Sequence, residues 1–221
     1  MALVAGASGL TGGALLRLLL HEKDFARVIA VSRRPLPVEH PRFANRILKF
    51  EDIEPGLKGL RATDAFCALG AAGGPRAAES ALRAVDLSLV IAFARAAKAA
   101  GATRLVVVSA AGADRAAPSP FLRVKGEMEI ALRGLGFAGL DLLQPGVVYG
   151  SRHGDGPAAL LRQGLLAAAS PLLRSSKNLS ALSGAGVAAA MLSTARAQRP
   201  GARTFSGASL ASAARAFSPA P

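Results

Sequence analysis

Short apolar runs alternate along this chain with longer stretches of helical period. Ala-Leu-Val-Ala at 2–5 is cut off by Gly6 and reads as a buried strand, and residues 9–20 follow as a helix with a glycine-rich start. Val-Ile-Ala-Val at 28–31 predicts a second strand, residues 46–50 a third and weaker one, and 64–70 a fourth that again ends in glycine. An alanine-rich helix is predicted over 76–100, with Gly101 as its stop. Residues 104–110, with three consecutive valines, give the clearest strand, followed by a helix over 120–134 and a strand over 139–146 stopped by Pro145 and Gly146. Beyond Tyr149 the pattern weakens: 157–169 and 185–197 read as helices, and Arg-Thr-Phe-Ser-Gly near 203–207 as an edge strand. Apolar strands of this length between helices are the mark of βαβ units, so the expected fold is α/β, a doubly wound parallel sheet covered on both faces.

The chain has 221 residues. At ~150 residues per domain this allows one or two domains, and no clean linker divides it. The expected organisation is one domain over 1–208, with its core in 1–150 and a small C-terminal cap over 151–208, and a flexible tail over 209–221. Apolar residues make up 51% of the chain, which excludes general disorder. No run is long and apolar enough for a membrane span, and Arg17 within the first apolar stretch argues against a secretory leader. Cys67 is the single cysteine, so no disulfide framework or cysteine metal cluster is expected, His21, His40 and His153 share no ligand spacing, and a cytoplasmic location is expected.

Lys and Arg number 27 against 14 Asp and Glu, a net charge of +13, and Asp155 is the one acidic residue after position 150. Such a charge attracts anions. The basic residues are scattered singly rather than in blocks, so a nucleic-acid surface is not the expected reading.

Two segments carry candidate chemistry. Gly6-Ala7-Ser8-Gly9-Leu10-Thr11-Gly12 follows the first strand and opens the first helix. At that place the backbone of a glycine-rich turn approaches a pyrophosphate, and helix N-terminal N–H groups meet its charge. Ser32-Arg33-Arg34 ends the second strand, where a dinucleotide fold meets the adenosine ribose. An acidic residue there would hold the 2′-hydroxyl of NAD; the two guanidiniums suit a 2′-phosphate, so NADP(H) is the expected cofactor.

With these two segments, the stretches FCALG, VVVSAAGAD, FLRVKGEME and QPGVVYG stand in an order that resembles atypical short-chain dehydrogenases/reductases, in the Tat-interacting-protein (TIP30) branch and its bacterial relatives. The resemblance covers residues 2–150. It implies a Rossmann domain, binding of NADP(H) and reduction of a small carbonyl substrate; a homodimer is allowed for, and no membrane partner is expected from a chain without a long apolar run. It also implies cofactor contacts from Gly6, Ser8, Gly9, Leu10, Thr11, Gly12, Arg33, Arg34, Phe50, Leu69, Gly70, Lys125 and Pro145. In that family a Tyr-x-x-x-Lys pair shares one helix face, the Lys holding the nicotinamide ribose and lowering the Tyr pKa, the Tyr acting as general acid beside a Ser hydroxyl. Ser109 and Lys125 stand where the Ser and Lys belong.

Phe121 stands where the Tyr belongs, and phenylalanine has no proton to give. Tyr149, the one tyrosine of the chain, follows the Pro145-Gly146 turn and is the candidate replacement acid. A second departure is Lys49 before Phe50, where relatives place an Asp that accepts from the adenine amino group; Glu51 or Asp52 is left for that task. Three functions therefore stand open: an oxidoreductase using Ser109, Lys125 and a replacement acid such as Tyr149 or water; a non-catalytic NADP(H)-binding or redox-sensing protein; and a basic protein that binds nucleic acid or an acidic partner.

Overall fold

A computed structural model describes residues 1–150 and 181–217. Nine strands are described: β1 Ala2–Ala5, β2 Val28–Ser32, β3 Phe43–Ile47, β4 Asp64–Cys67, β5 Arg104–Val108, β6 Gly139–Gln144, β7 Val147–Tyr149, β8 Ala181–Ser183 and β9 Gly201–Ser206. Seven of them form one parallel sheet in the order β3-β2-β1-β4-β5-β6-β9, and β7 pairs with β8 in a second small sheet. The order reverses direction between β1 and β4, so the crevice at the carboxyl ends of these two strands is where a doubly wound sheet receives a ligand.

The helices are α1 Leu10–His21, α2 Ile53–Gly56, α3 Glu79–Leu82, α4 Val90–Ala99, α5 Pro120–Arg133, α6 Gly184–Arg196 and α7 Gly207–Arg215. Both sheet faces are covered because successive residues of the central strands are apolar and point to opposite faces. Ala2, Val4, Val28, Ala30 and Phe66 pack with Leu15, Leu19, Val187 and Met191 of α1 and α6. Leu3, Ala5, Ile29 and Leu105 pack with Phe93 and Ala97 of α4 and with Met128 and Leu132 of α5. Each buried leucine-sized side chain contributes roughly 1.5–3 kcal/mol, so these two layers supply the main driving force.

Four expectations need correction. The third strand spans 43–47 rather than 46–50: it is an edge strand paired with β2 from Phe43 to Ile47, and Phe50 instead begins a 3₁₀ turn over Phe50–Asp52. The alanine-rich helix is not uniform, because a π-helical segment, Arg83–Leu89, lies between α3 and α4. The segment after 180 is more than a cap, since β9 extends the main sheet along the whole of β6 and α6 lies on α1. Residues 207–215 are helical rather than a loose tail: Leu210 is fully buried, and Ser206 and Ser209 cap the start of α7 reciprocally. The helix expected over 157–169 lies outside the described residues.

At the amino ends of β4, β5, β6 and β9 the sheet encloses an ionic cluster. Arg203 binds Asp141 at 2.6 Å, Arg104 lies 3.6 Å from the other oxygen of Asp141, and Asp64 lies 3.9 Å from Arg104. Gly139 leaves room for this, since a Cβ there would meet the Arg104 guanidinium at 2.5 Å. Burial pushes the Asp141 carboxyl up, against the opposing pull of Arg203 and Arg104. Asp141→Ala should therefore destabilise the fold by about 2–3 kcal/mol, because it leaves the half-buried Arg203 without its counter-charge and the buried Arg104 with Asp64 alone. Urea denaturation checks this; a midpoint equal to that of the wild type would show the cluster to be dispensable.

Candidate functional site

The glycine-rich turn divides its labour among three glycines. Gly6 has φ +87°, a left-handed conformation that a side chain resists, and a Cβ there would collide with the carbonyl of Ala68 beyond β4. A Cβ on Gly12 would collide with the Gly6 carbonyl, so this glycine sets the close approach of α1 to β1. Gly9 differs from both. Its φ is −84°, and a Cβ would meet only the Gly6 carbonyl, at 3.2 Å.

Gly9 caps α1 with no side-chain hydrogen bond, whereas Ser183 caps α6 by accepting from the Gly186 N–H. The first N–H groups of α1, on Leu10, Thr11 and Gly12, are thereby left for an anion. Ser8 is exposed beside them, and Thr11 is buried. The Leu10 side chain does packing work: a Cβ on Gly184 would lie 2.5 Å from its Cγ, and one on Gly150 3.0 Å from its Cδ1. These contacts seat β7 and the start of α6 against the turn.

After β2, the Ser32 hydroxyl donates to the Arg34 carbonyl at 2.7 Å and accepts from the Asn45 amide at 2.8 Å. Asn45 also donates to Ala30 O and accepts from the Leu36 N–H. This clamp fixes the loop that holds the exposed Arg33 and Arg34 at the carboxyl edge of the sheet. Lys49, Glu51 and Asp52 are exposed around the turn that Phe50 begins.

The ends of β4, β5 and β6 carry the remaining residues. Leu69 and Gly70 follow β4; Leu69 is half-buried and Gly70 exposed. Ser109 follows β5, donating its N–H to Leu143 O at 2.6 Å, and its buried hydroxyl has no hydrogen-bond partner among the described residues. Pro145 follows β6, and its carbonyl accepts from the Ala111 N–H at 3.0 Å.

On α5, the Lys125 side chain is buried, with Nζ 3.4 Å from Val108 O, the carbonyl just before Ser109. Nζ lies 6.0 Å from the centre of the Phe121 ring, which packs against Ala71, Leu82 and Val124. The structure thus brings Ser109, Phe121 and Lys125 to one place. Tyr149 is on β7, opposite Ser183, and among the described residues no hydrogen bond joins it to Ser109 or Lys125.

One residue at this place, Asp86, reads from the sequence only as a local cap or ion-pair partner. Asp86, in the π-helical segment, forms an ion pair with Lys125 at 2.6 Å and accepts from the Ala71 N–H at 2.8 Å. The available signal was a lone carboxylate among the apolar residues of Val-Asp-Leu-Ser-Leu-Val. Cys67 ends β4 nearby; burial pushes its thiol up to about 11, so it is protonated and unreactive at neutral pH.

A groove of about 680 Å³ lies at the far end of α1, lined by Arg17, His21, Phe25, His40 and Arg42. None of the candidate cofactor or catalytic residues lines it. Its Arg42 guanidinium donates to Glu22 O and Phe25 O at 2.7 and 2.8 Å, closing the carboxyl end of α1.

Comparison with known proteins agrees with this geometry. The family model described as NAD(P)H-binding matches residues 6–133. Protein HTATIP2 of Rattus norvegicus is 32% identical over 162 residues, covering 72% of this chain and 66% of that protein. The mitochondrial protein FMP52 of Eremothecium gossypii is 34% identical over 152 residues, covering 69% and 68%. The chain thus spans about two thirds of the length of these relatives. Among solved structures, DesIV of Streptomyces venezuelae, a dTDP-glucose 4,6-dehydratase with NAD and TYD bound, superposes with a TM-score of 0.71 at 17% identity, over 92% of this chain and 74% of that one.

FMP52 proteins of several further fungi are also named mitochondrial, which overturns the cytoplasmic expectation. That expectation rested on a single buried cysteine, which reports packing and not compartment. No described helix is long and apolar enough to cross a membrane. With the NAD(P)H-binding family model matched over residues 6–133, more than half of this chain, and with a seven-stranded parallel sheet of Rossmann type, the chain belongs to the NAD(P)H-binding family, related to HTATIP2 and FMP52.

Proposed function

We propose that this protein binds NADP(H) in preference to NAD(H) and acts on a small carbonyl compound as an oxidoreductase whose acid step is impaired. One observation carries the reading: the buried, unpartnered Ser109 hydroxyl and the buried Lys125 ammonium, which reaches Val108 O, both lie at the end of β5, at the same edge of the sheet as the uncapped start of α1. When bound, the cofactor supplies the hydride. Ser109 is suited to donate to a carbonyl oxygen, and Lys125 to hold a ribose hydroxyl. The proton that the oxygen must gain has no donor at position 121.

The same gap favours a second reading, an NADP(H)-binding regulatory or redox-sensing protein that keeps the cofactor and does little chemistry. DesIV binds NAD, so fold alone does not choose between the cofactors. The preference rests on Arg33 and Arg34, with no carboxylate over residues 32–38 to receive a 2′-hydroxyl.

Fluorescence titration tests this. NADPH should bind about ten- to a hundredfold more tightly than NADH, the worth of one charge-assisted hydrogen bond. Replacing Arg33 and Arg34 together by Ala should erase most of that difference. Equal affinities in the wild type would refute the preference.

A further inference from the structure

Resting on the reading of this crevice as the cofactor site, we infer that Asp86 is its positioning residue: one carboxylate holds Lys125 and the loop after β4 in a single arrangement. Asp86 is 1% exposed, and the Lys125 side chain 4%. The first carboxylate oxygen faces Lys125 Nζ at 2.6 Å, and the second accepts from the Ala71 N–H at 2.8 Å. A Cβ on Gly70 would lie 3.7 Å from the first oxygen, so the Leu69–Ala71 loop lies directly on the carboxylate. Through Lys125 the same unit reaches Val108 O, one residue before Ser109. Asp86 therefore ties together the ends of β4 and β5, which line one side of the crevice.

The location of the pair favours function over stability. Burying two opposite charges is often no better for stability than two apolar side chains of similar size. Asp86 also lies in the π-helical segment Arg83–Leu89, and such irregular turns are frequent at functional sites. An ammonium has three N–H donors. Val108 O engages one of them, and Asp86 holds the ammonium as an ion pair from 2.6 Å, which leaves donor capacity for a ribose hydroxyl.

The groups that face this pair are few. From β4 comes the Cys67 thiol, held protonated by burial, and from β5 the Val108 carbonyl. Further out, Arg83 of the π-helical segment and Glu127 of α5 pair with each other at 2.8 Å, and Glu79 of α3 pairs with Arg123 of α5 at 3.2 Å. Asp86 is thus the one carboxylate in contact with Lys125 among the described residues.

Asp86→Asn keeps an oxygen for the Ala71 N–H and removes the charge. A buried ammonium without its counter-charge sheds its proton as pH rises. Between pH 7 and 9.5, NADPH affinity should fall about tenfold or more in Asp86→Asn, and less than about threefold in the wild type. Asp86→Glu keeps the charge and should keep the level profile. In the cofactor-free protein, acetylation of Lys125 by acetic anhydride, read by mass spectrometry, should rise with pH in Asp86→Asn well ahead of the wild type. A role in folding alone would lower the melting temperature and move neither profile. Parallel profiles in wild type and Asp86→Asn, or a fall with pH in Asp86→Glu, would overturn the assignment. Failure of wild type to bind NADPH would instead strike the reading of the crevice, and the acetylation profiles would still decide whether Asp86 holds Lys125.

Discussion

Gly9→Val should give a folded protein that has lost cofactor binding by about a hundredfold or more. The φ of −84° at Gly9 is one that valine adopts without strain, and its Cβ would meet only the Gly6 carbonyl, at 3.2 Å. The isopropyl group then projects into the space beside the first N–H groups of α1, which no side chain caps. A pyrophosphate excluded from that place forfeits at least two charge-assisted hydrogen bonds, each worth roughly 1.5–3 kcal/mol. Gly6 and Gly12 serve as controls with the opposite outcome. Any side chain at either collides with backbone, so Gly6→Val and Gly12→Val should lower the melting temperature before binding can be measured. An NADPH titration of folded Gly9→Val with unchanged affinity would reduce the turn to a structural element.

This division among three glycines was only partly visible in the sequence. A glycine-rich turn after a short apolar run announces itself, because few other residues tolerate left-handed backbone and close contact at once. Which glycine faces the ligand is a matter of what lies across from it. For Gly6 the neighbour is Ala68, sixty-two positions away, and no local pattern reports that. The central strands were legible for the same reason as the turn: each is a compact apolar run between breakers, buried on both faces. The edges were less so. β3 is half-exposed and lacks a continuous apolar run, and β7 and β8 are three residues each and owe their existence to pairing with one another. Asp86 was hidden in another way. A carboxylate in an alanine-rich helix reads as a local cap or pair until a π-helical turn and a lysine from a distant helix place it inside.

Phe121→Tyr should raise carbonyl reduction by at least about tenfold, toward the ~10²–10⁴-fold that a positioned acid contributes. Phe121 and Lys125 are one turn apart on α5, and the ring centre is 6.0 Å from Nζ. The substitution adds one oxygen at the rim of a half-buried ring, so α5 and its contacts with Ala71, Leu82 and Val124 should hold. A wild-type protein that binds NADPH but reduces aldehydes and quinones slowly is the expected baseline. Asp86 sets a ceiling on the gain, because its carboxylate at 2.6 Å offsets the ammonium whose charge would otherwise favour the phenolate. The new phenol should therefore work as an acid of nearly ordinary strength, and activity should decline toward alkaline pH as it ionises. Tyr149→Phe, assayed alongside, separates the remaining possibility. Tyr149 stands on β7, paired with Ser183 and next to Gly150, which abuts Leu10 of α1, and no hydrogen bond joins it to Ser109 or Lys125 among the described residues, so its removal should leave wild-type reduction within about twofold. Rapid turnover by the wild type, lost in Tyr149→Phe and indifferent to Phe121→Tyr, would move the reacting centre from the end of β5 to the mouth of α1.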